Sequence, residues 1–302
     1  MTPNNLHPHL SALGRSRPRR RLLGPFAAAL VTVLAAVLAV AGPTTASAPG
    51  AGAARPATQG AASAERGSTA KPTIVLVHGA FADSSGWNAV AARLFKAGYP
   101  VIAFSNPLRG PLADGEYLRQ FLTTIDGPVV LVGHSYGGAV ISNGATGNDK
   151  VLALVYVAAY APAEGESVAA ANDLGGGHTE VTDHLVVRPY PGSTPPDGDA
   201  YIDPAHFRRL FAQDLPARTT RFMAATQRPG ALAALLTPSG PPAWEDIPSW
   251  YLVARQDRII PPEAERAMAA RADATTVEIN SSHVAMMSHP GKVTRLILRA
   301  AR

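Results

Sequence analysis

Of the 302 residues none is cysteine, only 6% are aromatic and only 16% carry a charge. The missing cysteine excludes disulfides, a thiol nucleophile, a Cys-ligated zinc site and a lipid anchor on a mature N-terminal cysteine. The fold must then rest on its core, and the roughly 230 residues after the first seventy are ample for one. No apolar run is long enough to span a bilayer: Phe26 to Ala41 has 16 residues, against about 20 for a spanning helix. A real charge excess is missing too. The formal balance is +5, but residues 1–48 hold five arginines and no acids; removing those five from the 27 basic residues leaves 22, equal to the 22 acidic ones. The surplus belongs to the N-terminal segment and gives no argument for nucleic acid or an acidic partner.

That segment reads as an export signal. Arg15, Arg17, Arg19, Arg20 and Arg21 form a basic start, the apolar run follows, and Ala46-Ser47-Ala48 and Ala51-Gly52-Ala53 are cleavage candidates. Pro49 disfavours the first, so residues 1–53 are taken as the signal peptide and the mature protein as secreted, touching a membrane only through that signal. Arg19-Arg20-Arg21-Leu22-Leu23 resembles a twin-arginine signal, although adjacent arginines also arise by chance in basic starts. Residues 54–70 are Ala, Gly, Ser and Thr with little else, the composition of a disordered linker.

From Lys71 the pattern alternates. Thr73–Val77 and Pro100–Phe104 are short apolar strand candidates, with helices over Ser85–Ala97, closed by Gly98, and Gly115–Ile125. Pro128–Val132 and Val151–Ala158 continue the strands. Continuous apolar runs suit a parallel sheet covered on both faces, so the fold class is α/β with a doubly wound, mostly parallel sheet. From about Tyr160 to Asp246 the alternation stops, too long for a loop in a compact domain. Helices over Pro204–Leu215, Pro216–Thr226 and Gly230–Leu236 mark an inserted, largely helical cap. Strands return at Ser249–Ala254 and Thr275–Ile279, and a helix over Pro290–Ala300 closes a domain of residues 71–302.

The densest chemical signal is Gly133-His134-Ser135-Tyr136-Gly137-Gly138, directly behind the strand Pro128–Val132. A strand that stops on a serine and turns at once into a helix is the G-x-S-x-G nucleophile elbow, whose flanking glycines make room for a sharp, strained turn. An acyl-transfer serine needs a histidine base and an acid to orient it, here in the chain order Ser, acid, His. Asp257 follows the strand Ser249–Ala254, and His283 follows Thr275–Ile279, so all three fall at the carboxyl ends of strands. Asp246, Asp273 and His289 are rivals that lack this placement. Oxyanion donors are expected from the backbone N–H of Tyr136, at the helix start, and of Ala80, in His78-Gly79-Ala80 after the first strand. His78 is expected to fix that loop and His134 to leave the elbow on the side opposite Ser135.

These motifs, with Ile247-Pro248 ahead of Asp257 and Ser282-His283-Val284-Ala285-Met286, make residues 71–302 similar to the α/β-hydrolase superfamily, in its branch of small-molecule esterases and hydroxynitrile lyases. The resemblance implies a Ser135–His283–Asp257 triad, an acyl-enzyme intermediate, a small ester as substrate, and no metal or organic cofactor. The lyases carry threonine in the loop after the first strand and lysine after the histidine. Gly79 and Val284 stand there in this chain, which favours ester hydrolysis. Phe81, Phe211, Phe222 and Met223 are candidate substrate contacts, equally consistent with ordinary packing. A peroxidase-like use of the triad and a non-catalytic binding protein of the same fold are the alternatives.

Overall fold

The structure is a computed structural model and describes residues 71–302. The export signal and linker read over residues 1–70 lie outside the described residues.

Six strands form the main sheet: β1 (Thr73–Val77), β2 (Val101–Phe104), β3 (Val129–Ser135), β4 (Val151–Ala159), and, after the insertion, β8 (Ser249–Ala254) and β9 (Thr275–Ile279). Their spatial order is β2-β1-β3-β4-β8-β9, and every neighbouring pair is parallel. Helices flank the sheet, which is why β3 is buried along its whole length and carries no polar alternation. The helix Tyr136–Gly144 is also buried all round. Its small residues let it press onto the sheet: a Cβ on Gly133 would stand 2.7 Å from the Gly137 carbonyl, and one on Gly137 would strike the Val77 carbonyl oxygen.

Several helices differ from their sequence pattern in detail. The one expected over Ser85–Ala97 starts as a 3₁₀ turn, Ser84–Trp87, capped by Asp83 accepting from the Ser85 N–H at 2.8 Å, and continues as Asn88–Lys96. The next begins at Pro111 rather than Gly115, with proline in the first turn where its missing N–H costs nothing. The helix Pro262–Arg271, between β8 and β9, was not legible in the sequence. Its buried face is Ala264, Glu265, Met268 and Ala269, too faint a stripe to read.

The insertion is less helical than expected. It holds an antiparallel sheet, β5 (Leu185–Arg188), β6 (Asp199–Ile202) and β7 (Gly230–Ala231), beside the helices Pro204–Phe211, Ala217–Ala225 and Leu232–Leu236. β5 is a mostly exposed run of four residues followed by Pro189 and Pro191-Gly192, which concealed it.

Candidate active site

Ser135 ends β3 and has φ 55° and ψ −128°, a backbone state that non-glycine residues rarely hold. The sheet pairing breaks register between His134 and Ser135. The turn is tied down from behind, where the Tyr160 N–H donates to the Ser135 carbonyl at 3.1 Å. Gly79, in the loop after β1, packs against the serine so closely that a Cβ there would lie 2.6 Å from Ser135 Cβ.

Asp257 and His283 leave the carboxyl ends of β8 and β9 and meet, with His283 Nδ1 donating to Asp257 Oδ2 at 2.6 Å. Both side chains are fully buried. The other oxygen, Asp257 Oδ1, accepts from the N–H groups of Ile259 at 2.7 Å and Ile260 at 3.0 Å. With its proton on Nδ1, the neutral ring has a bare Nε2, which has no hydrogen-bond partner among the described residues. Ser135 Oγ does not bond to it in this arrangement.

The residue after the serine, Tyr136, opens a helix, so its N–H belongs to a positive helix end. Ala80 stands on the same cavity as Ser135 and Tyr136. The next N–H, that of Phe81, is already given to the Arg228 carbonyl at 2.8 Å. The cavity is small, about 40 Å³, and its wall is apolar, formed by Phe81, Tyr160, Val168, Val181, Leu185, Leu235 and Ile259 among others. Asn172 and Thr182 supply polar atoms, and among the described residues no charged one lines it. Among the described residues no group of His, Asp and Glu is arranged to hold a metal ion.

A model of the alpha/beta hydrolase family matches residues 74–296. The chain belongs to the alpha/beta hydrolase family. Alpha/beta hydrolase nvfD of Aspergillus novofumigatus is 26% identical over 260 residues, covering 76% of this chain and 97% of that protein. Methylesterase 17 of Arabidopsis thaliana is 25% identical over 254 residues, covering 76% and 91%. Among solved structures, polyneuridine aldehyde esterase aligns with a TM-score of 0.66 at 21% identity, covering 77% of this chain and 100% of that one, a likeness of fold.

Of the four side chains expected on the substrate, only Phe81 lines the Ser135 cavity of this hydrolase. Phe222 is 61% exposed and does not line that cavity. The helix Ala217–Ala225 turns Thr220 and Met223 inward, and Phe222 falls on its other face. Met223 lines a separate cavity of about 40 Å³ with Met286 and Met287. Phe211 is fully buried and packs edge-on to the His283 ring at 5.0 Å, a wall for the histidine rather than for the cavity.

The flanking histidines are structural here. His78 Nδ1 donates to the Gly79 carbonyl at 2.9 Å and its Nε2 accepts from the Asn106 N–H at 3.0 Å, joining two loops at the sheet edge. His134 Nε2 donates to the His283 carbonyl at 2.9 Å, linking the elbow to the histidine loop. Burial, with the nearby His283, holds the His134 pKa well below its usual value.

Two carboxylates of this hydrolase escaped sequence reasoning. Asp214, in the insertion, accepts from the Ser282 hydroxyl at 2.5 Å and the Ser282 N–H at 2.9 Å, clamping the residue before His283. Asp114 accepts from the Tyr136 hydroxyl at 2.8 Å and the Arg109 N–H at 2.9 Å, fixing a ring of the cavity wall. Neither lies in a motif or at a strand end, the two signals by which the others were found.

Proposed function

We propose that this chain is a serine hydrolase that cleaves small, uncharged, hydrophobic carboxylic esters by two-step acyl transfer. The observation that carries the reading is the buried Asp257–His283 pair, whose bare Nε2 belongs to the sheet edge that also holds the strained Ser135 turn. His283 Nε2 takes the hydroxyl proton as Ser135 Oγ attacks the ester carbonyl. Asp257 keeps the ring in the useful tautomer and stabilises its cation. The N–H groups of Ala80 and Tyr136 hold the oxyanion, each worth about 3 kcal/mol of barrier. The alcohol leaves with the proton from Nε2, and water, activated by the same nitrogen, releases the acid.

The relatives support an esterase, since methylesterase 17 is named for that activity. The charge-free cavity supports a neutral substrate, because a carboxylate there would be desolvated without a partner. Gly79 supports hydrolysis over cyanohydrin cleavage: threonine in its place would drive a side chain into Ser135. Val284, buried after His283, offers no cation for a released anion.

Replacing Ser135 by Ala should abolish turnover of a short p-nitrophenyl ester while leaving the urea-unfolding midpoint unchanged. Retained turnover would refute the nucleophile.

A further inference from the structure

Behind Asp257 stands a second acid. Glu265, on the helix Pro262–Arg271, is fully buried; its Oε2 accepts from the N–H of Ala254, which ends the strand leading to Asp257, and the Asp257 carboxyl is close enough to act on its proton. Two carboxylates offer no hydrogen between them, so this pair can bond only if one acid carries the proton. The partners decide which. Asp257 receives three donors, from His283 Nδ1 and the N–H groups of Ile259 and Ile260. Glu265 receives one, the Ala254 N–H on Oε2 at 3.1 Å, and its Oε1 meets no donor. The anion therefore belongs on Asp257 and the proton on Glu265.

The other groups around Glu265 do not alter this. The Tyr251 hydroxyl donates to the Ala159 carbonyl and the Tyr160 hydroxyl to Asn172 Oδ1, so neither phenol serves Glu265. Arg266, on the same helix, reaches outward to Glu278 at 2.9 Å. Burial first, and the Asp257 charge second, hold the Glu265 pKa far above the usual carboxylate range.

We propose that Glu265 is a positioning residue of this site: its neutral carboxyl donates its O–H to Asp257 and holds that carboxylate ionised and aimed at His283, a role that rests on the triad reading above. The acid hydrogens then run in one line, Glu265 to Asp257 and His283 to Asp257, with a single negative charge between two buried carboxyls. Glutamine reproduces both bonds, because its amide donates to Asp257 and its oxygen accepts from Ala254. Alanine reproduces neither.

The test uses the full chain with Glu265→Gln and Glu265→Ala. At pH 8 the infrared spectrum of the parent should show the C=O stretch of a protonated carboxylic acid, lost in Glu265→Gln. No such band would overturn the proposal, whatever the activity. Linkage gives a second readout without turnover. The unfolded chain releases this proton near the ordinary 4.5, and the folded chain keeps it, so parent stability falls as pH rises above that value. Relative to the parent, Glu265→Gln should gain stability as pH rises above 4.5, by up to about tenfold in its folding equilibrium constant per pH unit. A constant difference would overturn the protonated state. In ester hydrolysis Glu265→Gln should stay within about threefold of the parent, while Glu265→Ala should lose about tenfold in kcat with KM held. Equal loss in both variants, or none in alanine, would overturn the positioning role. Failure of Ser135→Ala to abolish turnover would instead sink the triad reading, leaving the infrared and stability results standing.

Discussion

The serine turn depends on residues that contribute no chemistry themselves. Gly79 approaches Ser135 so closely that an added methyl would meet its Cβ at 2.6 Å and the His134 carbonyl oxygen at 2.9 Å. Neither neighbour is the free end of a flexible side chain. Gly79→Ala should therefore displace Ser135 or the loop after β1 and cost about 100-fold in kcat, the scale of a 1 Å misplacement, with the fold intact by circular dichroism. Loss below threefold would show that the close packing is dispensable. The buried histidines give the pH dependence at this scale. Burial is the largest influence lowering the pKa of His78, and His134 is lowered further. The unfolded chain takes up these protons first. Stability should thus be full above the ordinary 6.5 and be lost as pH falls below it, by up to about 1.4 kcal/mol per histidine per pH unit. Urea midpoints at pH 7.5 and 5.5 would measure this, and His134→Gln should show a shallower loss.

Among the elements, the main-sheet strands and three helices of the insertion were legible, and the insertion's small sheet was not. Buried parallel strands are unbroken apolar runs, and β1, β3, β4 and β8 stand out by that alone. The insertion mixes short strands, 3₁₀ turns and helices, and what each residue faces is settled by contacts distant in sequence. Phe222 shows the cost: its type suits a pocket, but its position on the helix turns it to solvent. The insertion also reaches the histidine loop, through Asp214 and Ser282. Asp214→Ala should loosen His283 and lower kcat about tenfold, the equivalent of one charge-assisted hydrogen bond of about 1.5 kcal/mol. If kcat stays unchanged, the clamp plays no part in catalysis.

At the scale of the whole molecule, Ser135, Asp257 and His283 all fall within residues 71–302. A chain beginning at Lys71 should unfold in one cooperative urea transition and match the full chain in kcat/KM for a short ester. A loss of either property would assign residues 1–70 a part in the folded enzyme. Alpha/beta hydrolase family membership also spans this region, from residue 74 to residue 296.

The order of Ser135, Asp257 and His283 and the strand before each were visible in the amino-acid sequence, because an elbow needs its glycines locally and a buried parallel strand needs its apolar run locally. Their tertiary surroundings were not visible. That Asp257 bonds His283 rather than the neighbouring Arg255 or Arg258, that Asp214 grips Ser282, and that the buried Glu265 accepts from Ala254 all follow from packing between strands, helix and insertion far apart in the chain. A local pattern can state which residue ends a strand. Which polar atoms share a water-free interior is decided only when the layers close, since burial makes every unmatched proton and charge costly.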